Sequence, residues 1–221
     1  MSDAPPIRWE WIGDNLDTIG GLLLDHVVLT AIAVGIGLVI SFGLALLIRR
    51  YPALGGPIIG TTGVLYAIPS LALLGLLVPV TGLTVLTAEI ALVSYTLLIL
   101  TRNITEGLRA VPRAAVEAAT GMGYTPLGRL VRVELPLAVP IIVAGIRIAT
   151  VTTIGLVTVA ALIGVDNLGY LIVTVGVNRG SFGLTQALTG IVLAVALAVV
   201  ADVALLGLQR ALTPWSRRGA A

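Results

Sequence analysis

Apolar runs separated by short polar gaps set the plan of this chain. The runs fall at about 27–48, 58–78, 83–101, 137–163 and 184–208. Each is near the roughly 20 residues that a helix rising about 1.5 Å per residue needs to cross about 30 Å of hydrocarbon. The pattern predicts an all-α polytopic membrane protein with about five spans. Ahead of the first run, residues 1–25 carry Asp3, Glu10, Asp14, Asp17 and Asp25 against Arg8, and Trp9, Trp11 and Ile12 predict an interfacial helix with its rings at headgroup depth. This stretch lacks the basic start and short apolar core of a signal peptide. Residues 164–183, with Asp166, Gly169, Tyr170, Gly176, Asn178 and Arg179, hold too few apolar positions for a crossing and read as an external hairpin or short re-entrant helix.

Finer patterns within the runs bear on packing and on the interior. Ala33, Gly37, Ser41 and Ala45 recur every four residues, as do Gly145, Ala149 and Thr153 and, further on, Gly190, Ala194 and Ala198. Ridges of small side chains let neighbouring helices approach closely. Pro69, between Ile68 and Ser70 in the second run, removes a backbone hydrogen bond at mid-membrane and predicts a kink facing a packed or wet interior. The third run holds Glu89 and Tyr95. Ionisable residues inside a span are costly and usually paired or functional. Arg147 in the fourth run and Asp202 in the fifth fall at depths within roughly 6 Å of each other, so a pair between them is geometrically possible. A structural role, including snorkelling of Arg147 to the inner headgroups, is the alternative. Tyr66, Pro69, Ser70, Tyr95, Arg147 and Asp202 are the candidate lining of a path through the membrane. Tyr66, Tyr95 and Tyr170 are the rings that a passing cation could meet, for about 0.5–2 kcal/mol each, although an interfacial anchor also explains Tyr66 and Tyr170.

One stretch departs from this apolar background, with charges, caps and prolines regularly placed. Pro112 suits the first turn of a helix, and Gly121 and Gly123 suit its end. Arg113, Glu117, Ala118, Ala119, Gly121 and Met122 therefore fall on a short helix closed by a glycine turn. Thr125-Pro126 is a second start signal for a helix running toward Leu135, and Pro136 is expected to break or bend the chain before the fourth span.

Composition narrows the function. Of 221 residues 57% are hydrophobic and 11% charged, with a mean hydropathy of +1.08, where a soluble domain carries roughly 25% charged residues. There is no lysine, so the chain cannot hold a Walker A loop, whose lysine reaches the β- and γ-phosphates. ATP and Mg, where they drive this protein, are bound by another chain, and no cofactor is expected here. The absence of cysteine excludes disulfides, thiolate metal sites and cysteine nucleophiles. The single histidine, His26, cannot build a multi-histidine metal site and reads as an interfacial side chain. A formal charge of +2 and a pI near 9.4 do not point to nucleic acid, because the arginines cluster in the gaps between runs, as a topology signal does. Five spans with an external N-terminus put Arg49, Arg50, Arg102, Arg109, Arg113, Arg129, Arg132, Arg210, Arg217 and Arg218 in the cytoplasm and only Arg8 and Arg179 outside. That topology makes residues 102–136 a cytoplasmic loop and the C-terminus cytoplasmic.

Glu117-Ala118-Ala119, Gly123, Val133 and Leu135-Pro136, at this spacing, resemble the EAA loop of the membrane subunits of bacterial ABC importers, with Val133 in place of the usual isoleucine. The resemblance implies the type I importer permease fold. It makes the short helix a coupling helix seated in a groove of a cytoplasmic ATPase, its glutamate and glycine fixing the contact and the turn. The segments 68–75, 133–137, 144–147 with 149–151, and 160–164 resemble the osmoprotectant branch, whose members import glycine betaine, choline, carnitine and related quaternary ammonium compounds. Where that branch often has Gly-Gly-Leu-Gly, this chain has Asp166-Asn167-Leu168-Gly169, an added charge near the expected docking surface for a binding protein. The implied partners are two ATPase subunits, a second permease subunit (a copy or a similar chain) and a separate extracellular binding protein, in a bacterial inner membrane. The nearest alternative is a methionine-type amino-acid importer. More remote are an intramembrane enzyme, for which no convincing nucleophile–base pair exists at membrane depth, and a passive channel, which has no use for an ordered coupling motif.

Overall fold

The computed structural model describes residues 7–176 and 182–213; Asp3, Asn178, Arg179, Arg217 and Arg218 lie outside that range. No strand occurs among the described residues. A short helix α1 (Trp9–Asp14) leads into α2 (Leu16–Arg50), followed by α3 (Gly55–Ala67), α4 (Ser70–Thr81) and α5 (Val85–Arg109). Two small helices, α6 (Arg113–Gly121) and α7 (Pro126–Arg129), precede α8 (Leu135–Ala160), and α9 (Gly183–Leu212) ends the described chain. Four segments are long and apolar enough to cross a membrane, namely α2, α5, Pro126–Ile163 and α9; the bent pair α3–α4 makes a fifth if it is one span.

The small-residue ridges decide the packing. Ala33, Ser41 and Ala45 are fully buried on α2, and a Cβ at Gly37 would collide with the Thr96 side chain of α5. On α8, Ala149 and Thr153 are buried, and a Cβ at Gly145 would run into Asn103 of α5. Helices α2, α5 and α8 thus form a close-packed centre, with α9 laid against α8 and against a π-helical segment, Tyr170–Gly176. Gly190 of α9 faces that segment, since a Cβ there would meet Leu168 and Ile172. One core cluster around Leu29, Leu92, Tyr95 and Val157 fills one half of the bundle, and a second around Ala45, Leu100, Ile104 and Ala138 fills the other.

Several boundaries differ from the sequence expectation for physical reasons. Helix α2 starts at Leu16 rather than near residue 27, because its polar first turns still present Ile19 and Leu22 to a small cluster with Leu168 and Leu171. His26 is not an interfacial side chain: it is wholly buried, with Nε2 3.0 Å from the Ile154 carbonyl of α8. Helix α5 does not stop at Arg102 but runs on to Arg109, with Ile104 and Leu108 buried in the second core cluster. Pro69 produces more than a kink, for α3 and α4 meet at 94°. Pro136 breaks nothing. A π-helical turn, Leu130–Glu134, precedes it, and the wider spacing lets the chain enter α8 continuously with Pro136 in its first turn.

Candidate functional site

The candidate coupling segment begins where α5 ends. Pro112 stands just before α6 in an extended conformation, at the N-cap position. At the other end Gly123 has φ +78°, its N–H reaches Thr120 O at 3.0 Å, and the Tyr124 N–H reaches Ala119 O at 3.1 Å. This pair of bonds is a Schellman closure, in which the left-handed residue is most easily a glycine. Thr125 then caps α7, its Oγ accepting from the Gly128 N–H at 3.1 Å, and Pro126 occupies the first helical position.

Burial divides α6 into two faces. Arg113, Glu117, Ala118, Gly121, Met122 and Gly123 are exposed, Met122 to 69%. Ala119 is buried, and Val116 packs with Leu135 against the core cluster of Ala45, Leu100 and Ile104. Leu135 and Pro136 are half-buried at the start of α8, so the predicted coupling residues split into an outward set on α6 and an inward set that seats the segment on the bundle.

Beneath α6 lies a charge cluster that the sequence reading did not single out. Glu134, 4% exposed, accepts through one oxygen from Arg49 Nη2 at 2.8 Å and from Arg129 Nε at 2.9 Å. Arg129 also donates from Nη1 to the Thr120 hydroxyl of α6 at 2.8 Å. One carboxylate therefore ties the end of α2 to α7 and, through Arg129, to α6. Such charge-assisted bonds are about twice as strong as neutral ones. A signal was present: Glu134 is the sole acidic residue between Glu117 and Asp166, in a stretch with Arg129, Arg132 and Arg147.

The candidate path residues fall in two places. At the α3–α4 break, the Tyr95 hydroxyl donates to the Ile68 carbonyl at 2.7 Å, supplying a donor where the chain at Pro69 has left its helical ladder. Tyr66 meets Tyr95 edge-on, with centroids 6.1 Å apart and planes at 76°. Tyr95 is buried, whereas Tyr66 and Pro69 are exposed and Ser70 half-exposed. The second place is between α8 and α9, where Arg147 Nε and Nη2 donate to Asp202 Oδ1 and Oδ2, both at 2.8 Å. This bidentate pair opens on a cleft of about 570 Å³ lined by Ala144, Ile148, Val151, Thr152, Ala198 and Val199. Among the described residues no hydrogen bond or ring contact joins the two places.

Two other polar features sit in the bundle. Glu89 on α5 is 8% exposed, and neither carboxylate oxygen has a hydrogen-bond partner. Asn167, fully buried, closes an Asx turn by accepting from Gly169 N–H at 2.7 Å, while Asp166 beside it is exposed. Among the described residues no three His, Asp or Glu side chains are grouped so as to hold a metal ion.

Comparison with known proteins bears on this arrangement. Residues 37–218 match the family described as binding-protein-dependent transport system inner membrane component. The osmoprotectant import permease protein OsmW of Salmonella typhimurium is 37% identical over 91% of this chain and 94% of its own length. The choline transport system permease protein OpuBB of Bacillus subtilis is 35% identical over 90% and 92%. In the same organism, the glycine betaine/carnitine/choline transport system permease protein OpuCB is 32% identical over 92% and 94%. A chain of the MetNI methionine ABC transporter, in an inward-facing conformation, superposes with a TM-score of 0.78 at 23% identity, covering 96% of this chain and all of that one. At that identity the likeness is one of fold.

Proposed function

Because the chain belongs to the family of inner membrane components of binding-protein-dependent transport systems, we propose that it is the permease subunit of an ATP-driven importer of osmoprotectants, the class that includes glycine betaine, choline and carnitine. The observation that carries this reading is the relationship, over nine-tenths or more of the chain, to permeases named for osmoprotectants, choline and carnitine. The chain has no lysine for a Walker A loop, so two separate ATPase subunits supply the hydrolysis. A second permease subunit completes the path, and a separate binding protein delivers the solute from outside. The N-terminus and the Asp25–Asp166 end lie outside, and α6 faces the cytoplasm.

In this reading the exposed face of α6, with Glu117, Ala118 and Met122, seats in a groove of the ATPase. Small alanines allow close approach, and the Gly123 closure fixes the exit angle. When ATP draws the ATPase subunits together, α6 is displaced as a rigid piece, and the Arg129–Glu134–Arg49 bonds carry that displacement to the inner ends of α2 and α8.

The test is ATPase stimulation of the complex, reconstituted in lipid with its ATPase and binding protein, by glycine betaine, choline, carnitine or methionine. Stimulation by a quaternary ammonium compound, lost in Glu117→Ala, is the expected result. Stimulation by methionine alone overturns the cargo class while leaving the architecture, and unchanged stimulation in Glu117→Ala overturns the coupling role.

A further inference from the structure

We infer that Arg147 and Asp202 form a binding site for a small zwitterion, one carrying a carboxylate and a quaternary ammonium group, at the middle of the membrane. Arg147 lies about 18 Å along α8 from Leu135 and about 20 Å from Ala160, at a rise of about 1.5 Å per residue. That places the pair deep in the hydrocarbon region, where ionisable groups face a bundle interior or a water-filled cavity rather than lipid. The pair is not sealed in the core. Its side chains are 24% and 36% exposed, and both line the 570 Å³ cleft, whose other walls are apolar apart from Thr152.

The chemistry of the two groups sets what can enter. A guanidinium fork takes one carboxylate through two parallel bonds, the arrangement it already has with Asp202. A solute with its own carboxylate and a fixed positive charge replaces both partners in one exchange: its carboxylate takes the place of Asp202 on Arg147, and its ammonium group takes the place of Arg147 beside Asp202. No charge is left unpaired. A simple cation satisfies Asp202 and strands Arg147, and a simple anion does the reverse, leaving an uncompensated charge at membrane depth. The closed pair thus yields to a dipolar solute and resists lone ions, which suits a path that must not leak.

This inference rests on the importer reading and narrows its cargo to the zwitterionic members of the class, such as glycine betaine and carnitine, over the cation choline; its test is separable from that reading. The complex of permease and ATPase, without binding protein, is placed in lipid nanodiscs and titrated with glycine betaine (zwitterion), choline (cation) and acetate (anion). Binding is read from isotope-labelled probe retained at equilibrium. Saturable binding of glycine betaine alone is expected, weakened about thirtyfold or more in Arg147→Gln and in Asp202→Asn. Since either variant strands a charge, a cost that can unfold it, the exchanged pair R147D/D202R serves as the second variant; it offers both charges again and should bind glycine betaine within a few-fold of wild type. Equal retention of all three probes, no retention of glycine betaine, or wild-type binding in both single variants overturns the site. Selective binding by a complex that moves no quaternary ammonium compound leaves the site standing and removes the importer reading instead.

Discussion

At the scale of single residues, the charges inside the bundle separate, among the described residues, into those with partners and one without. The depth of Arg147 and Asp202 could be counted along their helices, and depth was enough to suggest the pair now seen at 2.8 Å. What residue spacing could not supply was direction, because two positions on different helices meet only if the helices are rotated toward each other. Glu89 shows the opposite outcome, a buried carboxylate with both oxygens unpartnered. A buried polar group without a hydrogen bond costs about 1–3 kcal/mol, so Glu89→Leu, close in volume, should raise the melting temperature of the isolated permease in detergent. A lower melting temperature would mean that the carboxylate has a partner the single chain does not reveal. His26 was misplaced at the interface because a histidine at the start of an apolar run carries no sign of whether a neighbouring helix covers it; the Ile154 carbonyl does so here.

At the scale of elements, local chemistry was the most legible part. Gly123 after a short helix and Thr125-Pro126 before the next follow from conformational rules, and both appear as a Schellman closure and a capped helix start. The proline positions were less legible, because the consequence of a missing N–H depends on what surrounds it. At Pro69 the chain turns through 94° and Tyr95 supplies a donor to the Ile68 carbonyl, whereas at Pro136 a π-helical turn absorbs the ring and the helix continues. That π turn also aims Glu134 at Arg49 and Arg129, which ties α7 and, through Thr120, α6 to α2. Replacing Glu134 by Gln keeps the shape and removes the charge from a carboxylate shared by two arginines. The expected result is a fall of about tenfold or more in solute moved per ATP hydrolysed, with the amount of assembled complex unchanged. A lower yield of complex at an unchanged transport ratio would make Glu134 a folding residue only. Gly123→Ala probes the same joint: a left-handed φ of +78° costs a non-glycine residue about 1–2 kcal/mol, so the variant should lose stimulated ATPase activity before it loses insertion.

At the scale of the whole molecule, the apolar runs fall on the four segments long and apolar enough to cross a membrane and on the bent pair α3–α4, and the same regularity hid how far the helices extend and which faces are covered. Hydropathy alone cannot distinguish a lipid-facing side from one awaiting a partner, and α9, with no buried residue in its most apolar window, carries both possibilities along one helix. The arrangement of charge argues for a direction. Arg49–Glu134 ties the end of α2 to the start of α8, and Gln209 Nε2 reaches the Pro140 carbonyl at 3.2 Å. The last turns of α2 and α9, the end of α5 at Arg109 and the start of α8 therefore share one end of the bundle, with Arg49, Arg50, Arg109, Arg129, Arg132 and Arg210. The opposite end carries Asp25 and Asp166 on the walls of a single cleft. An arginine-rich end is retained in the cytoplasm, which turns the asymmetry into a measurement. The chain has no cysteine, so Met122→Cys and Asp166→Cys each create a single thiol, both at exposed positions. A membrane-impermeant maleimide should label the residue-166 thiol in spheroplasts and reach the residue-122 thiol only after the membrane is opened. The reverse pattern would place α6 away from ATP, and with it the coupling role of Glu117 and Gly123 would fall, whatever the resemblance of the motif.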